Sequence, residues 1–425
     1  MLTQKIKNLI NEMFDSTPSN VGVGYGFKKV NGKFSNEKSI VFFVPEKKPL
    51  HLLNPDEILP SDPINIDGEI LQMDVVEIGV VRTYACNPEC YSWQTTSPPN
   101  RQYIRPIQGG ISMTTRSNLG SVGTLGFVAV DTQTQSLVGV TNNHVAIRDA
   151  SITSQRNLSG PIQNEFDITD GGVVNPDSAY QSGEFINPPN SYIIGQVVRY
   201  VPISITGGPI QNKVDGALIS LSGTPILSLT QSYKQYGLSS VLVPTPFATG
   251  TELDDLLDLN PLVKSSGRTT GVKDGGLCPL RIAYINTTVN VSGYNFQGVE
   301  STVVFNECFI FVRPVNDPDI STICINPSFA GDSGSAIIGE FTGTGINKII
   351  GLNFAGSDYY GIANRIDNVA NELGIEYWDG SLKNLVDTST VVFKTIPGGT
   401  TNKIVNCGGE NYWQMGLTTL NSPCA

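Results

Sequence analysis

The spacing of apolar positions changes along the chain. Leu2, Ile6, Leu9, Ile10 and Met13 recur at helical spacing and predict one amphipathic helix over residues 2–14. Three β-prone runs follow, Val21–Val30, Ser39–Val44 and Leu71–Val81, and Asn31-Gly32 after the first is a two-residue hairpin signal. Together they predict a small N-terminal α/β domain over residues 1–82. Residues 83–104, rich in Pro, Ser, Thr and Asn, read as a linker. From Ile104 to about Ile350, short apolar runs alternate with Gly, Pro, Asn and Ser clusters, the texture of an all-β sandwich or barrel. The runs are Val122–Val130, Leu137–Thr141, Ile193–Tyr200, Gly216–Leu221, Cys308–Val312, Ser335–Ile338 and Ile349–Asn353. Helical spacing returns at Ile366, Val369, Ala370 and Leu373, predicting one helix packed on the β-rich part. Residues 379–425 alternate weakly and form a C-terminal extension, read as a hairpin or a partly ordered tail.

Composition narrows the function classes. A chain of 425 residues accommodates two or three domains, and 39% hydrophobic residues is ordinary for a soluble protein. No run approaches the ~18–20 apolar residues that cross a bilayer. The first ten residues mix charge into their apolar positions, unlike the core of a secretion signal. The expected location is cytoplasmic, with no membrane partner. The net charge is −11 and no basic patch is visible, which argues against nucleic acid. Seven cysteines form no framework. Cys86 and Cys90 have no second pair or histidine nearby, so no metal is expected there. In a secreted chain those two could pair as a disulfide. Gly22-Val23-Gly24-Tyr25-Gly26 lacks dinucleotide-loop spacing and reads as glycines that let a strand twist or approach a neighbour closely.

Three short segments carry candidate chemistry. Gly331-Asp332-Ser333-Gly334-Ser335 reads as a nucleophile turn between two strand-like runs. The chain has two histidines, and His144 lies in Thr141-Asn142-Asn143-His144-Val145-Ala146 at the end of an apolar run. His51 lies outside the β-rich region and reads as structural. Asp215 opens the run Gly216–Leu221. A serine hydroxyl attacks well only when a base accepts its proton. An imidazole serves because its ordinary pKa is ~6.5, and a carboxylate fixes the ring's tautomer. The backbone amides of Gly331 and Ser333 are the candidate oxyanion donors, and the flanking glycines permit the sharp turn that aims both into one hole. Asp332, between them, is expected to face away from that hole. Asp167, Asp170 and Asp177 remain rivals to Asp215.

These segments, in the order His, Asp, Ser, resemble those of trypsin-like (chymotrypsin-fold) serine peptidases. Thr141–Val145 resembles the family's histidine motif, Asp215-Gly216-Ala217-Leu218 its aspartate motif and Gly331–Ser335 its serine motif. Lys264–Gly271 resembles the opening of the second barrel in bacterial members. With the N-terminal segment and Gln108-Gly109-Gly110 included, the layout is similar to the plant NARROW LEAF 1 type and its bacterial relatives. The resemblance implies a mainly β fold, two six-stranded β-barrels over residues 105–378, with the site between them. It implies peptide-bond hydrolysis by a His144, Asp215, Ser333 triad through an acyl-enzyme, with no cofactor. The implied partner is a protein or peptide substrate, with self-association into a homo-oligomer left open.

The chain departs from the family pattern. A long insertion near residues 150–192 separates His144 from Asp215, and it could overhang the cleft as a lid. Proline after Arg105 disfavours activation by trypsin-type cutting. The paired cysteines of secreted members are absent. By resemblance, the segment Pro327–Ala330, with Phe329, and the strand residues Asn353, Phe354, Ala355 and Gly356 line the substrate cleft. No acid stands where Arg or Lys would be selected, so small or medium apolar side chains are expected. The rival class is a non-catalytic peptide-binding or scaffold module on a peptidase fold.

Overall fold

Thr3 starts the first element: its hydroxyl accepts the Ile6 amide at 3.4 Å, an N-cap that opens helix α1 (Gln4–Ser16). In this computed structural model the described residues are 2–17, 21–31, 33–83, 99–115, 122–147, 168–170, 173–175, 178–181, 193–205, 212–221, 234–238, 244–273, 279–296, 299–313, 327–341, 346–380, 392–395, 403–407 and 410–415. Strand β1 (Gly22–Val30) turns back on β2 (Lys33–Val44). Val30 pairs with Lys33 and Asn31 sits at φ 51°, as the hairpin signal predicts. Next come β3 (Ile64–Ile66) and β4 (Glu69–Glu77); β4 runs parallel to β2.

The first barrel begins with β5 (Ile111–Thr115). The run Val122–Val130, expected as one strand, is two: β6 (Gly123–Leu125) and β7 (Phe127–Asp131). The bend falls at Gly126, where a Cβ would stand 2.2 Å from the Gly334 carbonyl. β6 pairs with β5, and β7 pairs with β8 (Leu137–Thr141). Helix α2 (Asn143–Ala146) follows, then a two-stranded ribbon of β9 (Ile168–Asp170) and β10 (Val173–Asn175) in the insertion. β11 (Ser178–Gln181), β12 (Ile193–Tyr200) and β13 (Ala217–Ser220) complete the order β7-β8-β13-β12-β11-β5-β6. Because β6 and β7 are halves of one bent strand, that order closes into a six-stranded barrel.

Short helices α3 (Gly250–Asp254) and α4 (Leu256–Leu259) lead into the second barrel. Its strands are β14 (Leu262–Gly267), β15 (Gly271–Lys273), β16 (Arg281–Phe296), β17 (Val299–Val312), β18 (Ala336–Phe341), β19 (Ile346–Gly356) and β20 (Tyr360–Arg365). The order β14-β18-β19-β20-β17-β16 closes through a Val263–Leu280 bridge, a second barrel of six strands, with β15 hairpinned onto β14. The fold is mainly β.

Residues 1–82, expected as a small domain of their own, share a sheet with the second barrel. β1 pairs with β16, Gly22 opposite Val289 and Gly26 opposite Tyr284. The glycine spacing serves this close approach: a Cβ on Gly24 would stand 2.6 Å from Thr287 Oγ1. Helix α5 (Ile366–Leu373) buries Ile366, Val369 and Leu373, and β21 (Ile375–Tyr377) then crosses back to pair with β7. In the C-terminal extension, β22 (Val392–Thr395), β23 (Lys403–Cys407) and β24 (Glu410–Met415) form a three-stranded sheet. Among the described residues no helix is long and apolar enough to cross a membrane.

One buried cluster joins Ile6 and Ile10 of α1, Val138, Val140 and Leu218 of the first barrel, and Ile337 and Leu352 of the second. Ile10→Ala is therefore expected to lower stability by about 2–5 kcal/mol. Because the cluster is shared, urea unfolding followed by tryptophan fluorescence and by far-UV circular dichroism should move together to lower midpoints.

Candidate active site

The pairing of β13 with β8 sets the first half of the site. Ala217 lies opposite Thr141, so the residues just before β13 run beside those just after β8. Asn142 and Asn143 fix the turn of α2: Asn142 Nδ2 donates to the Asp215 carbonyl at 2.6 Å and Asn143 Nδ2 to the Val201 carbonyl at 2.5 Å. The result places His144 against Asp215. His144 Nδ1 and Asp215 Oδ2 are 2.6 Å apart, and the His144 amide donates to Oδ1 at 3.2 Å. The Asp215 side chain is fully buried. A carboxylate that receives several donors is the acceptor, so Nδ1 carries the proton and the Nε2 lone pair lies on the far side of the ring.

The second barrel completes the environment of Asp215. Tyr294 on β16 donates its hydroxyl to Oδ2 at 2.6 Å. Burial first, then the Asp215 charge and this hydrogen bond, push the Tyr294 phenol well above its ordinary range, so it stays a donor. Its ring stacks on Phe305 at 5.6 Å and meets the His144 ring edge-on at 6.1 Å. Asn364 on β20 accepts the Asp215 amide at 2.9 Å and donates to the Lys213 carbonyl at 3.0 Å.

Ser333 lies in a turn that both barrels hold. Gly331 and Gly334 have φ of 94° and 92°, backbone that favours glycine. A Cβ on Gly334 would stand 2.1 Å from the Thr124 carbonyl and 2.5 Å from Thr141 Oγ1. Thr124, on β6, donates its amide to the Ser333 carbonyl and its hydroxyl to the Gly331 carbonyl, each at 2.8 Å. The Asp332 amide donates to Phe329 and the Gly334 amide to Asn353. Among the described residues, the amides of Gly331 and Ser333 donate to no backbone carbonyl. Ser333 Oγ is buried and hydrogen-bonds to nothing among them.

Asp332 faces away, as expected. Its carboxylate accepts the amides of Thr269 (2.8 Å), Thr270 (3.0 Å) and Phe329 (3.0 Å) and the Thr270 hydroxyl (2.6 Å). Lys273 lies 3.9 Å from it. Burial lowers the lysine's pKa, and the Asp332 charge opposes that.

The other expected positions divide. Asn353 is buried, and its Nδ2 donates to Ser328 Oγ at 2.8 Å and to the Asp332 carbonyl at 3.1 Å, so the side chain braces the serine turn. Phe354 is fully buried against Phe305, ring centroids 4.7 Å apart. Ala355 is buried as well, so this strand offers mainly its backbone. Phe329 is half-buried and Gly356 ends β19. His51 is exposed in a short 3-10 turn, far from this chemistry in sequence and topology. Asp167, Asp177, Cys86 and Cys90, and most of the insertion, lie outside the described residues; for Asp170 only its strand position is described. Tyr294, Asn364 and Thr124 were not foreseen. Lys264–Gly271 was singled out, but nothing local marked Thr269 and Thr270 as the clamp on Asp332.

No family model matches the sequence, and no curated protein does. Solved structures similar to the chain include a glutamic acid specific serine protease, at 15% identity over 64% of this chain and 100% of that one, with a TM-score of 0.34. Cellulomonas bogoriensis chymotrypsin is similar at 13% identity, over 64% of this chain and 98% of that one, with a TM-score of 0.33. Thermobifida fusca protease A is similar at 12% identity, over 64% and 98%, with a TM-score of 0.32.

Removing the Asp332 carboxylate would orphan the buried Thr269 amide and the half-buried Thr270 amide and strip Lys273 of its nearby negative charge. Asp332→Ala should cost about 3–5 kcal/mol of stability, read from the shift in a chemical denaturation midpoint.

Proposed function

We propose that the chain is a serine endopeptidase of the trypsin-like type. Ser333 is the nucleophile, His144 the general base and then acid, and Asp215 the group that orients the ring and steadies the imidazolium. The amides of Gly331 and Ser333 bind the oxyanion. The observation that carries this reading is the 2.6 Å His144–Asp215 contact, next to a serine turn that Thr124 staples to the same barrel. No hydrogen bond joins Ser333 Oγ to the imidazole here, and such bonds often tighten only when substrate arrives.

In the proposed reaction the substrate carbonyl enters above Ser333. His144 takes the hydroxyl proton as Oγ attacks, then returns it to the leaving amine, and water repeats the sequence on the acyl-enzyme. The reaction requires no cofactor. Protein or peptide substrates with small or medium apolar residues before the cut fit the sequence reading that no acid stands at the position that would select Arg or Lys. The NARROW LEAF 1 likeness, the division at residues 82, 104 and 378, and a cytoplasmic location belong to the same proposal.

A fluorophosphonate should label Ser333. Ser333→Ala should abolish labelling and lower peptide hydrolysis by a factor on the order of a million without unfolding. Retained hydrolysis in that variant overturns the assignment. A cleavage profile dominated by Lys or Arg before the cut overturns the apolar preference alone. Tyr294→Phe removes one donor to the Asp215 carboxylate, and about a tenfold fall in kcat/KM is expected, with labelling retained.

A further inference from the structure

Val81-Arg82-Thr83 is a short extended segment that follows the N-terminal strands. The Arg82 amide donates to the Gly356 carbonyl at 3.0 Å and the Gly356 amide returns a bond to Arg82 at 3.1 Å, an antiparallel pair. On the segment's other edge, Ser292 donates to the Val81 carbonyl at 3.0 Å and Thr83 donates to the Ser292 carbonyl at 2.8 Å. Val81 is buried in the same cluster as Phe354 and Tyr294, while Arg82 is exposed. The segment is thus wedged between the ends of β19 and β16.

The edge of β19 that it occupies is the one that faces the serine. The amide and carbonyl of one strand residue point to the same edge, and successive residues alternate. Asn353 uses both groups on the serine turn: its amide donates to the Ser335 carbonyl, and its carbonyl accepts the Gly334 amide. The register with β20 passes from Asn353–Ala363 to Ala355–Ile362, one extra residue on β19. That bulge shifts the alternation by one, so Gly356 presents its polar groups to the same edge as Asn353. Across the bulge the paired strand advances only two residues, Ala363 to Gly361, so a peptide laid along this edge would reach Gly356 two residues, roughly 7 Å at ~3.3 Å per residue, beyond the one beside Ser333. Pairing of an extended peptide with such an edge is a standard mode of recognition, and here the chain's own Arg82 already fills the place.

We propose that Arg82 takes the pairing position of the third residue before the scissile bond, so that the protein gives substrate no main-chain pairing beyond two residues on that side. The proposal rests on the peptidase reading of Ser333. It makes Val81–Thr83 a specificity-determining wall and favours substrates recognised close to the cut.

Phosphonate probes carrying two or four residues before the phosphorus test it on the full chain. The two should label wild-type protein at rates within about twofold, whereas Arg82→Pro, which removes the donor to Gly356, should react about tenfold faster with the longer probe. A wild-type protein that already prefers the longer probe about tenfold overturns the proposal. Amide exchange at Gly356 gives a readout that needs neither catalysis nor the variant. Strong protection in the free chain is expected, and exchange as fast as an exposed amide overturns the pairing. Failure of a small fluorophosphonate to label Ser333, with Gly356 protected, counts against the nucleophile assignment and leaves the wedge standing.

Discussion

A buried carboxylate shared by two barrels is the constraint on which the rest depends. Asp215 sits out of water, where an unpaired charge would cost several kcal/mol. It is tolerated because donors converge on it from both sides of the seam. The amide and ring of His144 come from the first barrel, and the Tyr294 hydroxyl from the second. Asn364 holds the aspartate's own amide from the second barrel as well. Separating the barrels would strip the carboxylate of a partner, so the ionic chemistry and the packing of the seam stabilise one another.

The serine side repeats the device with another acid. Asp332 is held by the turn between β14 and β15, and Thr124 reaches across from the first barrel to the carbonyls of Gly331 and Ser333. Each half of the site is therefore fixed by groups outside the short segment that carries its candidate residue. Such rigid support is what oriented dipoles need if they are to stabilise developing charge without reorganising.

The sequence marked the candidate residues and much of the local structure. The stripe of Ile366, Val369 and Leu373 identified α5, and Asn31-Gly32 identified the first hairpin, because both signals are local. The interruption at Gly126 was hidden because its cause is the Gly334 carbonyl, more than two hundred positions away. β16 went unread: Asn286, Thr287, Thr288 and Asn290 dilute its apolar pattern, although the threonines are buried and paired with neighbours in the sheet. Tyr294 and Asn364 were equally silent, since their role exists only once a second barrel is set against Asp215. Asn353 and Phe354 were placed on the right strand, but their side chains turn to the serine turn and the core rather than outward.

The pairing of Gly22 with Val289 bears on how the protein is made. Translation delivers β1 long before β16, so until β16 emerges the outer edge of β1 has no native neighbour. Such edges template association with other chains, and contacts between distant parts of a sequence form slowly. The growing polypeptide thus carries a vulnerable border from the moment β1 emerges until β16 follows it.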